Sequence, residues 1–364
     1  MDKVQRPSAV QLVVLVCLCL QTTGYCVTMN VSKKVLHESY SNTEVLLVAE
    51  VVKLLVSGLL VINSAGHSPS SIGAVHMSDG TIETWNLKRL LLLLLRGRKL
   101  IVLVVLYSIS NIIPFFAIGQ IGAAAFTVVM QLKIFTTAAF STLMLSRQYS
   151  STKWRALLLL VIGCVLVSSP IINAGRSNIS SVEGGNSGDS SPEMVTGEIL
   201  GLLATLLQAT ISGFSSVYFE ALLKDKDDNT TIWERNFQLA FYSIFFLCAM
   251  TAGERWIHVD SSLALSTAGD NEGFFVGWTA LAFVLSLLQA GGGLLVAGTL
   301  KYADAVLKCF ATAVSIILTS ILSFFFLGSD IDMFVAIGYM TTVLSIFNYT
   351  LDHQQLPQPT PTSR

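Results

Sequence analysis

The chain has 364 residues, of which 52% are hydrophobic and 12% are charged, with a formal net charge of -1. A typical soluble protein is about 25% charged, so this chain has too few charges to cover a surface that faces water. The near-zero net charge also excludes a basic protein that binds nucleic acid polymers. The composition predicts a membrane protein whose solvent is the lipid bilayer.

Ten mostly apolar stretches approach the length of about 20 residues that a helix needs to cross a bilayer. They lie at 10–29, 43–62, 99–118, 121–145, 154–172, 196–222, 234–253, 274–299, 302–327 and 331–351. A cleaved secretory signal is the alternative interpretation of the first stretch, but no good small-x-small cleavage site follows it. With the N-terminus in the cytoplasm, 14 of the 22 Lys and Arg fall on the cytoplasmic side and four on the other. Because cytoplasmic loops are enriched in Lys and Arg, we expect ten spans with both termini cytoplasmic.

Five spans in each half would insert in opposite orientations, which is the inverted repeat found in many transporters. The predicted parts are a first repeat over 1–172, a flexible lumenal linker over 173–195, a second repeat over 196–351 and a disordered cytoplasmic tail over 352–364. The segment AIGQIGAAAFTVVMQLK from Ala117 and the segment AGTLKYADAVLKCFATA from Ala297 give weak support for the repeat. The predicted fold is therefore an all-α polytopic membrane protein of ten transmembrane helices in two inverted five-helix repeats.

Charged residues inside apolar spans are costly and usually face a polar cavity. Lys133 has no acid within one helical turn, whereas Lys301 lies three residues before Asp304. With Asp304 as a structural partner, Lys133 and Lys301 supply one cation in each half, which suits a doubly charged anion held between the halves. Lys308, two turns beyond Lys301, is grouped with the residues that support the helix turn.

Two further features leave alternatives open. Glu50 and Lys53 share a helix face, either as a self-neutralising structural pair or as part of the cavity. Gly292 and Gly293 lie within an apolar helix, where they allow the close approach of another helix or of a ligand.

Three classes of function fit these residues: a transporter of a small organic anion, a membrane-embedded enzyme acting on a lipid-linked phosphate, and a receptor or scaffold. The enzyme should show clustered acids or a nucleophile with a base, and the receptor should carry a substantial soluble module. The sequence shows neither feature, nor a metal-ligand spacing, so we expect a transporter without a metal or cofactor.

The chain resembles the nucleotide-sugar transporters of the CMP-sialic acid, UDP-galactose and UDP-N-acetylglucosamine branch of the drug/metabolite transporter superfamily. The stretches that carry the resemblance are EVVKLLVSG from Glu50, VVMQLKIFTTAAFSTLML from Val128, GFSSVYFEALLK from Gly213, IWERNFQL from Ile232 and GGLLVAGTLKYADAVLKCFATAVSIILTS from Gly292. The resemblance implies a ten-helix inverted repeat in the Golgi membrane, or alternatively in the endoplasmic reticulum. It also implies import of a nucleotide sugar in exchange for a nucleoside monophosphate, and it leaves a homodimer open.

The resemblance also assigns site residues. Residues at positions that match the family's cavity are Glu50, Lys53, Asn111, Phe126, Gln131, Lys133, Asn236 and Lys301. Gly292 and Gly293 are added as candidate substrate-binding residues because they allow close approach. Residues grouped as helix-turn or structural elements are Tyr302, Asp304 and Lys308. Phe126 stands where the family usually has a tyrosine, so a stacking surface is kept and its hydroxyl is lost.

Two positions bear on the substrate, and one on the topology. Ala240 and Tyr242 resemble the UDP-sugar branch rather than the CMP-sialic acid branch, so a UDP-sugar is the expected substrate and CMP-sialic acid the alternative. Of four sequons, the one at Asn178 falls in a lumenal loop long enough for glycosylation under the predicted topology.

Overall fold

A computed structural model of the protein describes residues 8–38, 40–64, 93–94, 97–169, 192–225, 230–263, 275, 277–327 and 332–351. The Asn178 sequon, the tail over 352–364 and all but the last four residues of the predicted linker lie outside the described residues. Those four linker residues belong to a helix that begins at Pro192, where proline suits the first helical turn.

The described residues are helical throughout their regular structure and contain no β-strand. The α-helices are α1 Ala9–Asn30, α2 Asn42–Ser64, α3 Arg98–Met130, α4 Lys133–Leu145, α5 Ser151–Val167, α6 Pro192–Leu223, α7 Ile232–Leu263, α8 Ala280–Tyr302, α9 Ala305–Leu327 and α10 Met333–Leu351. A π-helical turn over Val31–Val35 extends α1. The prediction of an all-α protein is thus confirmed for the described part of the chain.

Six helices, of 19 to 28 residues, are long and apolar enough to cross a bilayer, because an α-helix rises about 1.5 Å per residue. The six candidate spans are Ala9–Lys33, Asn42–Asn63, Thr196–Leu223, Ala280–Tyr302, Ala305–Phe326 and Met333–Leu351. The bent α3 makes a seventh if it counts as one span. Each of the ten predicted spans overlaps one of the helices, but α4 and α5 have only 13 and 17 residues and α7 is the least apolar.

The third and fourth predicted spans differ in detail from the helices that the structure places there. The predicted spans 99–118 and 121–145 are separated at 119–120, whereas the backbone of α3 leaves helical geometry at Gly122, with φ 76° and ψ 160°. This conformation is open essentially only to glycine. A second interruption falls inside the predicted fourth span, at Gln131 and Leu132, and separates α3 from α4. Sequence windows average over such short breaks and therefore miss them.

The chain divides into two compact units. The first unit contains the described residues of 1–23, 109–221 and 302–364, and the second contains those of 24–108 and 222–301. Each unit draws on both predicted halves of the sequence. The prediction of two inverted repeats concerns the order of the helices along the chain and their orientation in the membrane. A division into compact units does not test either property, so the inverted repeat stays a prediction.

The core of the first unit joins α4, α5 and α9. Its buried residues are Ile134, Ala138, Leu157, Leu160, Cys164, Val306, Cys309, Phe310 and Ala313. These side chains pack closely against one another, and this packing holds the starts of α4 and α9 in fixed positions. The two helix starts carry the charged residues described next.

Candidate functional site

A cavity of about 80 Å³ opens within the first unit. Its lining residues are Gln131, Lys133, Ile134, Thr137, Cys164, Ser212, Ser216, Lys308, Cys309, Thr312, Ala313 and Ile316. They come from the α3–α4 junction and from α4, α5, α6 and α9. Two ammonium groups, four hydroxyls and one amide therefore face a cavity whose remaining wall is apolar or thiol-bearing.

Lys133 reaches this cavity because the helix changes its winding immediately before it. The amide of Gln131 donates to the carbonyl of Val128 at 3.1 Å, and that of Leu132 donates to Val129 at 3.0 Å. These bonds span three residues instead of four, which is the tighter 3₁₀ pattern often found at functional hinges. Lys133 is then the first residue of α4. No acidic side chain within the described part of the chain forms an ion pair with it.

Lys308 lines the same cavity from the first turns of α9. Its Nζ donates to Ser216 Oγ on α6 at 2.8 Å. Among the described residues, Lys308 also has no acid within ion-pair distance. Sequence reasoning grouped Lys308 with the helix turn, and it missed the cavity because the other walls are distant in the chain.

Two acids of the first unit, Glu220 and Asp304, are engaged by other groups. Glu220 is completely buried, and its Oε1 accepts from Arg147 Nη2 at 2.5 Å while its Oε2 accepts from the amide of Ala305 at 2.9 Å. Arg147 Nη1 also lies 3.6 Å from Asp304 Oδ2. Burial acts to lower the pKa of Arg147, but Asp304 and Glu220 outweigh it and hold that pKa above its ordinary value. The guanidinium therefore stays charged between the two acids.

Asp304 has a second role at the start of α9. Its Oδ1 accepts from the amide of Leu307 at 2.6 Å, which is the contact that an N-cap aspartate makes with the third helical residue. The neighbouring Tyr302 ends α8 and is 45% exposed. Asp304 thus both caps α9 and faces Arg147.

The other predicted cavity residues of the first unit have different surroundings. Gln131 is buried and lines the cavity. Asn111 and Phe126 are half-buried on α3 and are not among the lining residues. The structure thus brings Gln131 and Lys133 together, and adds Lys308 to them.

In the second unit, Glu50 and Lys53 form an ion pair, with Glu50 Oε1 and Lys53 Nζ 2.7 Å apart. Gly293 on α8 lies against this lysine, since a Cβ at Gly293 would be 3.2 Å from Lys53 Nζ. Glu50 Oε2 is buried and has no hydrogen-bond partner among the described residues. The Glu50–Lys53 pair and the glycines of α8, which were predicted separately, are therefore neighbours through Gly293. Gly292, the preceding residue, is buried.

The predicted residues on α7 are also in the second unit and are buried or half-buried. Asn236 donates through Nδ2 to the carbonyl of Ile232 at 3.0 Å, while its buried Oδ1 has no partner in the described part of the chain. Ala240 is fully buried. The hydroxyl of Tyr242 donates to the carbonyl of Leu94 at 2.5 Å, so in this structure it holds a backbone segment.

Gln238 makes a parallel contact that sequence reasoning missed. Its Nε2 donates to the carbonyl of Leu93 at 2.6 Å, and its side chain is fully buried. A glutamine inside an apolar stretch is itself a signal, because a buried amide needs partners. Lys301 lies in the last turn of α8, half-buried, and belongs to the second unit, whereas Lys133 belongs to the first. The predicted pairing of these two lysines stays a prediction.

Comparison with known proteins gives a consistent family. The family model described as nucleotide-sugar transporter matches residues 6–350. The chain is 33% identical over 353 residues to the UDP-N-acetylglucosamine/UDP-N-acetylgalactosamine transporter nstp-4 of Caenorhabditis elegans, covering 96% of each protein. It is 31% identical over 347 residues to the human UDP-N-acetylglucosamine transporter, covering 94% of this chain and 96% of the other.

Two further likenesses are more limited. The chain is 36% identical over 252 residues to the UDP-galactose transporter of Schizosaccharomyces pombe, covering 69% of this chain and 64% of the other. A solved crystal structure matches with a TM-score of 0.55 at 14% identity, covering 95% of this chain and 99% of that one. At that identity the likeness bears on the fold alone.

Proposed function

The chain belongs to the nucleotide-sugar transporter family, and we propose that it carries a UDP-sugar into the Golgi lumen in exchange for a nucleoside monophosphate. It is a transporter and not an enzyme, so the hypothesis of an enzyme acting on a lipid-linked phosphate is set aside. UDP-galactose and UDP-N-acetylglucosamine are the substrates proposed first, because similar proteins carry these names. The endoplasmic reticulum is the alternative membrane.

One observation of the site carries the proposal. Lys133 stands at a break between two helices, lines a cavity, and has no ion-pair partner among the described acids. Broken helices at a central cavity are where secondary transporters hold charged substrates. A lysine ammonium binds phosphate as a point charge, so a nucleotide phosphate is the natural partner of this group.

We propose ten transmembrane helices arranged as two inverted five-helix repeats, with both termini in the cytoplasm. The Lys and Arg distribution along the chain supports this arrangement. Alternating access would then move the repeats around a fixed binding site. Lys301 in the second predicted repeat is proposed as the counterpart of Lys133. We also propose that the protein can form a homodimer.

The choice between a UDP-sugar and CMP-sialic acid is proposed to depend on α7. Ala240 leaves room beside Asn236 one helical turn away, and the ring of Tyr242 lies one half-turn further on. CMP-sialic acid is the alternative substrate for the same fold. The named relatives in the comparison favour the UDP-sugar.

The test is counter-flow in liposomes with purified protein. Liposomes are preloaded with UMP or CMP and offered radiolabelled UDP-galactose, UDP-N-acetylglucosamine or CMP-sialic acid. Uptake of a UDP-sugar that depends on internal UMP is the expected result. Uptake of CMP-sialic acid alone would keep the mechanism and overturn the substrate, and no counter-flow with any nucleotide would overturn the proposal as a whole.

A further inference from the structure

A proline lies inside α3, and the helix bends between Pro114 and Phe116. Proline has no backbone N–H, and its ring crowds the carbonyl of the residue four positions earlier. In α3 that residue is Ser110, so the Ser110 carbonyl lacks the donor that an uninterrupted α-helix would give it. Lipid supplies no donor, so a neighbouring helix must provide the replacement.

Gln208 on α6 provides that donor. Its Nε2 donates to the carbonyl of Ser110 at 3.0 Å, and its side chain is buried. Both residues belong to the first unit, where α6 thus completes the hydrogen bond that Pro114 removes from α3. A glutamine within the apolar stretch ILGLLATLLQA is costly in lipid, and the bond to Ser110 offsets part of that cost.

The contact between α3 and α6 leaves two polar atoms unsatisfied. Gln208 Oε1 and Ser110 Oγ are buried, and neither has a hydrogen-bond partner among the described residues. Buried polar atoms without partners destabilise the conformation that contains them. A second conformation in which these atoms gain partners would therefore offset the loss of the bond from Gln208 to Ser110.

The part of α3 beyond the bend is short and packs against glycines of α6. It reaches Gly122, where the backbone leaves helical geometry. A Cβ at Gly201 would lie 2.6 Å from the Cβ of Gln120, and a Cβ at Gly197 would lie 2.6 Å from Gln120 Oε1. Small residues of this kind let two helices approach closely in a membrane. The segment between the proline and Gly122 thus has an interruption at each end and a smooth surface beneath it.

We propose that Gln208 and Pro114 form a hinge in α3, and that the bond from Gln208 to Ser110 is released and remade as the transporter changes conformation. Hinges of this kind absorb a change of backbone angle at a few residues. In chain order the hinge lies between Asn111 and Lys133, which lines the cavity, so a change of the bend moves one relative to the other. Gln208 is then a positioning residue that acts through α3. The inference rests on the proposed function, to which it adds a moving part.

The first test is a double-mutant cycle on purified protein in detergent. Gln208→Met keeps the length of the side chain and removes the amide, whereas Pro114→Ala restores a backbone N–H for the carbonyl of Ser110. Gln208→Met alone should lower the melting temperature by about 2 °C. In the Pro114→Ala background the same change should leave the melting temperature unchanged or raise it, because it also removes the unsatisfied Oε1.

The second test separates a hinge from a merely structural bond. In Pro114→Ala the initial rate of UDP-sugar uptake into liposomes preloaded with UMP should fall about five-fold or more, because a helical backbone bond then opposes the change of the bend. The half-saturating UMP concentration, measured by the ligand-induced rise in melting temperature, should stay within about two-fold of wild type. Thr210→Val is the control, since Thr210 is exposed on α6 and its hydroxyl donates to the carbonyl of Leu206 in its own helix. Thr210→Val should change neither quantity.

Two results would overturn the inference: an equal effect of Gln208→Met on the melting temperature in both backgrounds, or a wild-type rate of exchange in Pro114→Ala. If Gln208→Met alone does not fold, recovery of folded protein in the double variant would support the hinge, and no recovery would overturn it. Coupled changes of melting temperature in a protein whose wild type exchanges no nucleotide would support the hinge and count against the proposed function.

Discussion

The guanidinium of Arg147, between α4 and α5, donates to the completely buried carboxylate of Glu220 on α6, with Nη2 and Oε1 2.5 Å apart. The other oxygen of Glu220 accepts from the amide of Ala305 at the start of α9. One acid thus links three segments of the first unit beside the cavity. No acid among the described residues forms an ion pair with Lys133 or Lys308, the two lysines that line the cavity.

Glu220→Gln should destabilise the protein, because the buried negative charge that pairs with Arg147 is lost. The side-chain oxygen of the glutamine can still accept from the amide of Ala305. Removal of one partner of a buried pair costs about 3–5 kcal/mol. Arg147 is 28% exposed and keeps Asp304 nearby, so about 2 kcal/mol is the expected loss. The measurement is thermal denaturation of purified protein in detergent.

The control for this variant is Glu198→Gln on the same helix. Glu198 is exposed, so its neutralisation should leave the melting temperature unchanged. Equal melting temperatures for Glu220→Gln and Glu198→Gln would show that Glu220 does not hold the three segments together.

Gly213→Ala should also lower stability, because α6 approaches the backbone of α4 at this residue. A Cβ at Gly213 would lie 2.8 Å from the amide nitrogen of Thr137, and a backbone atom cannot move aside as a flexible side chain does. Overpacking of this kind costs about 1–3 kcal/mol. Gly119→Ala is the control, since a Cβ there meets nothing within 4 Å. A melting temperature for Gly213→Ala no lower than that of Gly119→Ala would contradict the close approach.

The helices and two cavity residues, Gln131 and Lys133, were predictable from sequence, while the rest of the cavity lining was not. A chain in lipid must satisfy its own backbone hydrogen bonds, so long apolar stretches read directly as helices. Lys308 shows the limit of sequence reasoning. Its spacing from Lys301 is visible in the sequence, but Ser216 and Lys133, which line the same cavity, lie on other helices. The partner of Glu220 was hidden in the same way, because Arg147 precedes it by 73 residues. The interruption at Gln131 was missed because it changes the hydrogen-bond pattern without changing the hydropathy.

Tyr242 allows the proposed selectivity to be separated from a structural contact. Tyr242→Phe removes the hydrogen bond to Leu94, which should cost about 1 kcal/mol of stability, but keeps the aromatic ring. The preference for a UDP-sugar over CMP-sialic acid in counter-flow should therefore be unchanged. Tyr242→Ser removes the aromatic ring as well and should reduce that preference. If both variants keep the wild-type preference, Tyr242 serves only to hold the backbone segment at Leu94.

Lys301→Ala should abolish exchange while leaving the protein in its membrane. Lys301 is half-buried at the end of α8, and no acid among the described residues forms an ion pair with it, so its charge is available for a phosphate. The measurement is the initial rate of UDP-sugar uptake into liposomes preloaded with UMP, at equal amounts of reconstituted protein. Lys99→Ala is the control, because that side chain is 61% exposed and its pair with Asp225 is of the surface kind, which contributes about 0–1 kcal/mol. Wild-type uptake by Lys301→Ala would remove Lys301 from the proposed phosphate site.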